Sequence, residues 1–307
     1  MIITPIEPNR IPDFAGLVEG IDLRQPISNQ KIATIEAAMD RFAVLVFRHQ
    51  PINDDEQIAF AKRFGSLEQA TGDLAQGAER RLRIEINDIS NVNTDGTVMA
   101  RDDRKRLFGL GNLLWHSDSS FKSTPAKYSM LSARVLPARD GNTEFADMRA
   151  AYDALDPSEQ ETMQDLVCAH TQIHSRGILG FTDFTEDERL RFAPVRQRLI
   201  RQHPITGRKS LFLSSHAGEI ENWPIPEARA LLRDLAEHAT QRQFVYAHRW
   251  QPDDLVIWDN RTTMHRARRY DPAEKRDLRR TTLQGDGPTI SDQQFQAVQP
   301  ITQNSIS

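Results

Sequence analysis

Leu255-Val-Ile-Trp-Asp-Asn-Arg-Thr-Thr-Met-His-Arg-Ala-Arg268 decides the fold. It reads as two short strands, 254–259 and 262–268, and similar β-prone runs flank it at 243–249 and 277–283. Working outward, strands are expected near 196–203 and 209–214, with a helix over 226–239 behind them. Tyr128 to Val135 predicts another strand, followed by a turn at Gly141-Asn142 and a strand to Ala146. Two helices come next, around 147–155 and 157–167. Asp156-Pro-Ser-Glu159 supplies a cap, a proline at the first helical position and a glutamate in the first turn. Nearer the start, residues 29–64 read as helix, strand, helix. Many short strands with one helical insertion predict a mainly β protein: a sandwich or jelly-roll core with helices packed outside. Residues 1–285 are expected to form a single domain. The polar segment 85–112, without a sustained period, is expected to form loops with short strands that act as a lid-like cover, and 286–307 to form a flexible tail with little to bury.

Composition narrows the function. The 307 residues carry 38% apolar and 27% charged side chains, enough to bury a sizeable core. A net charge of −4 argues against a surface that holds nucleic acid through its phosphates, so any anion must be bound locally. The lone Cys168 can form neither an intrachain disulfide nor a multi-cysteine metal site, which suits a reducing cytoplasm. The N-terminus lacks a basic segment followed by an apolar run, and the apolar stretch Phe42 to Phe47 is too short to span a bilayer. A soluble, cytoplasmic homo-oligomer is expected, acting on a small molecule rather than on nucleic acid or a membrane.

A metal site is legible in two places. In Leu114-Trp-His-Ser-Asp118 an imidazole and a carboxylate stand two apart, and in an extended segment both project to one face. With nine histidines and 43 acidic residues, about one His-x-Asp/Glu arises by chance, so the pair alone is compatible with a surface histidine near an aspartate. The second place is His265, with Arg276 eleven positions beyond it. His238 and Arg249 repeat that spacing, but His238 falls in the helix-patterned segment 226–239, whereas His265 lies on a predicted strand. Two histidines and one carboxylate make the facial triad of non-haem iron oxygenases, with coordination positions left for a cosubstrate and oxygen. Zinc in a hydrolase is the competing reading of the same ligands.

These residues sit in longer matching stretches. They include Gly20-Ile-Asp-Leu23, Ala43-Val-Leu-Val-Phe-Arg48, Leu114 to Phe121, Tyr128 to Ala133, Thr143 to Leu155, Trp258 to Arg261, His265 to Asp271 and Arg279 to Leu283. Through them the chain resembles the taurine/2,4-dichlorophenoxyacetate dioxygenase family over nearly its whole length, and within it most closely the aryloxyacetate-degrading branch. The resemblance implies a double-stranded β-helix (a cupin-like jelly roll), Fe(II) held by His116, Asp118 and His265, and 2-oxoglutarate held by Thr143 and Arg276. It further implies hydroxylation by O2 of the carbon next to the ether oxygen of an aryloxyacetate, giving a phenol, glyoxylate, succinate and CO2. The same chemistry on taurine, another alkylsulfonate or a sulfate ester is the alternative.

Other candidates carry plainer readings alongside the functional ones. Thr143, 27 positions after His116, would otherwise be a strand-entry residue. Arg276 and Arg280 share a face of one strand, roughly 13 Å apart at about 3.3 Å per residue, and two inward arginines imply two carboxylates. By resemblance Arg276 takes the distal carboxylate of 2-oxoglutarate and Arg280 the acid group of the substrate. The plainer view is a solvated basic face, since 265–280 holds seven Lys or Arg, and Arg279 is expected in solvent. His216 and His203 match histidines of the aryloxyacetate branch, His216 as a pocket residue and His203 as a weaker candidate whose plainer reading is structural. Asn112 and Ser120 flank the iron motif and could line the substrate side or simply satisfy loop backbone. Trp115 and Trp258 are read as core. One departure is Asp95-Gly-Thr-Val98, where a relative carries a lysine as a candidate substrate contact; with Thr97 there, anion capture rests more on Arg280.

Overall fold

Side chains alternate across a strand, so each strand of a sheet covered on both faces must carry two apolar rows. Residues 1–70 and 80–290, which this computed structural model describes, meet that demand in a large sheet packed on both sides. In chain order the strands are β1 (Ile2–Pro5), β2 (Gly16–Glu19), β3 (Val44–Phe47), β4 (Asn87–Ser90), β5 (Tyr128–Val135), β6 (Thr143–Asp147), β7 (Val167–His170) and β8 (Val195–Arg198). They continue with β9 (Ile200–Gln202), β10 (Lys209–Leu211), β11 (Ala217–Ile220), β12 (Val245–His248), β13 (Leu255–Asp259), β14 (Thr263–Ala267) and β15 (Asp277–Thr282). The helices are α1 (Asn29–Phe42), α2 (Asp54–Ala61), α3 (Arg104–Gly109), α4 (Met148–Asp153), α5 (Pro157–Met163), α6 (Gln172–Ile178), α7 (Glu186–Arg191) and α8 (Ile225–Ala239).

The large sheet runs β1-β2-β3-β13-β5-β15-β4, and a smaller one, β12-β6-β14, packs against it. Val44, Val46, Val256, Trp258, Leu131 and Leu278 fill the space between the two sheets with Phe145 and Tyr246. The alternate residues Leu45, Phe47, Leu255, Ile257 and Met130 face outward onto α1 and α2, meeting Ile35, Met39 and Phe60. A buried Leu or Val contributes about 1.5–3 kcal/mol relative to an exposed one, so these two rows fix the register. Caps set the helix limits: Ser28 caps α1, Asn53 and Glu56 form a reciprocal capping box on α2, and Asp156 and Glu159 do the same on α5.

Two three-stranded or smaller sheets, β11-β7-β8 and β10-β9, join α4 and α8 in a third core around Met148, Leu213, Leu232 and Met264. The expected strands and helices of 128–163 and 225–283 are in place. Segment 85–112 holds an expected short strand, β4, which closes one edge of the large sheet, and adds the helix α3 at 104–109. Strands β1, β2, β7 and β11 and helices α6 and α7 are further additions to the sequence reading. Most of the expected C-terminal tail lies outside the described residues. None of the described helices is long and apolar enough to cross a membrane.

Candidate metal centre and its cavity

His116 and His265 meet through their backbones before their side chains do anything. Each donates its N–H to the other's carbonyl, at 3.0 and 2.8 Å, forming an isolated antiparallel bridge beside β14. Directly paired residues put their side chains on one face, and the two rings lie 4.2 Å apart between centroids. Alternation then brings Asp118 to the same side, while Ser117 points the other way and donates to the carbonyl of Thr263 at 2.9 Å. One ligand atom from each of His116, Asp118 and His265 lies within 4.8 Å of the others, and all three residues are buried.

The donor set fits a divalent ion. His116 Nδ1 is 2.7 Å from the carbonyl oxygen of Leu114, which can only accept, so the ring proton sits on Nδ1 and Nε2 keeps its lone pair. That Nε2 faces Asp118 Oδ1 at 3.9 Å, and His265 Nε2 faces Oδ2 at 3.7 Å. Burial drives His116 toward its neutral form despite the opposing pull of Asp118. Burial, with His116 beside it, pushes His265 well below its ordinary value. Burial would raise the Asp118 carboxyl, but Arg280, the two imidazoles and the Ser129 hydroxyl outweigh it and hold the group at about 2. Two neutral imidazoles and a carboxylate are the protonation states a metal needs.

The carboxylate is oriented by residues that sequence reasoning missed. Ser129 Oγ donates to Asp118 Oδ2 at 2.7 Å, Asn260 Nδ2 donates to Ser129 Oγ at 3.0 Å, and Asn260 Oδ1 accepts from Asp118 N and Trp258 Nε1. Arg280 Nη1 also donates to Asp118 Oδ1. Outer partners of this kind tune metal affinity. A Ser129→Ala variant should therefore bind metal about 10- to 100-fold more weakly, which titration calorimetry with Mn(II) would register.

The ligands open onto a cavity of about 610 Å³. Its lining includes Asn112, His216, Arg276 and Arg280, four residues singled out in the sequence. Arg276 and Arg280 reach it together although the β15 pairing shifts register between Asp277 and Leu278. Arg276 is buried, with Nη2 on the Gly141 carbonyl at 3.2 Å and the Tyr270 ring 5.4 Å away; burial brings its guanidinium down to about 10, still a cation at neutral pH. Segment 85–112 supplies much of one wall through Asp88, Asn91, Arg106 and Phe108.

The remaining residues singled out in the sequence take other positions. His203 does not line the cavity: Nδ1 accepts the N–H groups of Ile205 and Thr206, so Nε2 carries the proton and donates to Asp259 Oδ2 at 3.3 Å. Asp259 is in turn gripped by Arg261 through two contacts of 2.9 and 2.7 Å, which makes His203 part of a buried structural network. Ser120 is fully buried and outside the cavity lining, because Ser119 adopts a left-handed backbone (φ 55°) and ends the alternation that began at His116. Thr143 is buried and directly paired with the lining residue Ala267, and its hydroxyl accepts from Trp250 Nε1 at 3.0 Å. Arg279 is not left in solvent: Nη1 reaches both carboxylate oxygens of Asp54 at 2.7 Å, tying β15 to α2. Trp258 is core, while Trp115 is half-buried under the guanidinium of Arg266. Thr97 is exposed in a turn on Asp95. His238, in α8, bonds the Ala151 carbonyl and takes no part in the metal centre.

Known proteins resemble this chain over most of its length. An alpha-ketoglutarate-dependent 2,4-dichlorophenoxyacetate dioxygenase of Cupriavidus pinatubonensis is 50% identical over 275 residues, covering 90% of this chain and 96% of the relative. An (S)-phenoxypropionate/alpha-ketoglutarate-dioxygenase of Sphingobium herbicidovorans is 36% identical, covering 89% and 92%. Among solved structures, AAD-2 in complex with Mn(II) and N-oxalylglycine superposes with a TM-score of 0.91 at 53% identity, covering 94% of this chain and 99% of that one. The family model for taurine catabolism dioxygenase TauD, TfdA family, matches residues 3–282, and the chain belongs to that family.

Proposed function

We propose that this chain is an iron(II)- and 2-oxoglutarate-dependent dioxygenase that hydroxylates the carbon next to the ether oxygen of an aryloxyacetate such as 2,4-dichlorophenoxyacetate. The products are a phenol, glyoxylate, succinate and CO2. The observation that carries this is a buried centre with three candidate ligands among the described residues, opening onto a cavity that also holds the inward arginines Arg276 and Arg280. The 50% identical 2,4-dichlorophenoxyacetate dioxygenase supports the choice of substrate class. N-oxalylglycine, seen with AAD-2, is 2-oxoglutarate with one methylene replaced by NH.

When bound, iron(II) with 2-oxoglutarate supplies the oxidising power that dioxygen alone does not deliver to a C–H bond. His116, Asp118 and His265 hold the ion on one side and leave coordination positions on the other for cosubstrate and oxygen. Arg276, with Thr143 two residues beyond the Gly141 carbonyl it touches, takes the distal carboxylate of 2-oxoglutarate. Arg280 orients Asp118 with Nη1 and offers its remaining N–H groups to the substrate acid. Asn112 and His216 line the substrate side. Hydroxylation at the ether carbon gives a hemiacetal, which separates into phenol and glyoxylate. The fuller reading is a cytoplasmic enzyme whose two packed sheets form a jelly roll within one catalytic domain, covered by 85–112.

Oxygen-dependent succinate release, measured across phenoxyacetates, phenoxypropionates and alkylsulfonates with Fe(II) and 2-oxoglutarate, tests the substrate. The phenoxyacetates should give the highest kcat/KM. A preference for sulfonates would move the enzyme to the taurine type of chemistry, and turnover without oxygen or 2-oxoglutarate would make it a hydrolase.

A further inference from the structure

The cations around the cavity can be sorted by what already neutralises them. Arg280 gives Nη1 to Asp118, Lys105 stands 3.2 Å from Asp88, and Arg101 and Arg269 are exposed. Arg176 and Arg276 are the lining arginines that are more than nine-tenths buried, and neither has an ion-pair partner among the described residues. An unpaired buried cation is costly, and the cost is relieved when an anion arrives. The proposed 2-oxoglutarate site answers for Arg276. Arg176 is left over.

Arg176 is held in place by its neighbours. Its Nη1 donates to Ser175 Oγ at 3.0 Å, its plane lies 4.4 Å from the Phe108 ring centroid, and its Nε is buried without a partner. Gly111 leaves the room it occupies: a Cβ there would stand 2.4 Å from the guanidinium carbon. Burial brings the group down to about 10, so it remains charged at neutral pH.

His216, beside it, cannot share the anion. The single hydroxyl hydrogen of Ser175 goes to the Gln172 carbonyl at 3.0 Å, so in the 2.9 Å contact between Ser175 Oγ and His216 Nδ1 the imidazole is the donor. Nε2 of His216 then carries a lone pair. Burial, followed by the nearby Arg176, keeps the ring neutral. A neutral acceptor repels a carboxylate, whereas the guanidinium next to it attracts one. The His216 ring is 6.1 Å from that of His116, so this corner lies next to the metal ligands.

We infer that Arg176 is a substrate-binding residue that takes the carboxylate of the aryloxy acid from the α6 wall, jointly with Arg280 from β15. The inference rests on the reading of the site given above.

The test uses the holoenzyme loaded anaerobically with Fe(II) and 2-oxoglutarate, whose visible charge-transfer band shifts as phenoxyacetate enters the site. Arg176→Met should keep the band and its 2-oxoglutarate dependence, yet need about 10- to 100-fold more phenoxyacetate for the shift, the worth of one charge-assisted contact. Arg176→Lys should recover part of that loss. Gly111→Ala should reproduce it by displacing the guanidinium with its charge intact. Equal weakening toward phenoxyacetate and 2-oxoglutarate, or variants that bind phenoxyacetate as tightly as the wild type, would overturn the inference. A wild-type enzyme that ignores phenoxyacetate would instead overturn the assignment of substrate class itself.

Discussion

Replacing His265 with alanine should reduce 2-oxoglutarate turnover at least about a thousand-fold, equivalent to roughly 4 kcal/mol of lost transition-state stabilisation. The imidazole is one of the three proposed protein ligands, and no other histidine of the described residues stands in reach of Asp118 and His116 together. The fold should survive, because the β14 backbone pairs with Phe145 and His116 do not depend on the ring. Succinate release and bound iron, measured on the same preparation with its circular dichroism, would check this. Retained iron with retained activity would mean that the ion is held elsewhere.

Asp259→Asn should be the most damaging of the substitutions outside the cavity. Asp259 and Arg261 are both buried, in bidentate contact, with His203 donating to the same carboxylate. Removing the charge of one partner of a buried pair costs about 3–5 kcal/mol, so a melting temperature lower by roughly 10 °C is expected. Burial would raise the Asp259 carboxyl, but Arg261 and His203 hold it far below the ordinary range. A depressed carboxyl stabilises the fold above the unfolded value of about 3.9 and loses that contribution as pH falls toward the native one. The wild type should therefore lose stability below about pH 4 more steeply than the variant. Parallel melts at pH 7 and pH 3.5 would show it; identical slopes would mean that the pair contributes nothing net.

Legibility followed the range over which residues interact. The strand Tyr128–Val135 and the caps of α5 were readable because period and cap chemistry are local. His116 and Asp118 were readable because two residues in extended backbone share a face. Ser120 failed on the same rule: one left-handed residue, Ser119, turned the chain, and nothing in a serine announces that. Helices α6 and α7, of seven and six residues, are too short to display a period. Ser129, Asn260 and Arg176 acquire their roles from partners far along the chain, and a lone serine or arginine carries no sign of being buried beside a metal site. His203 stays open to two readings in sequence, because a histidine gripping a structural aspartate and one facing substrate look alike there.

The backbone bridge between His116 and His265 also ties catalysis to the integrity of the whole molecule. Its two halves come from segments on either side of the chain's midpoint, and peptide groups hold them at bonding distance. Coordination geometry is thus inherited from the tertiary closure and needs little rearrangement to accept an ion. Any ion that lodges there fastens the early and late parts of the polypeptide together, so thermal resistance should climb with free metal concentration.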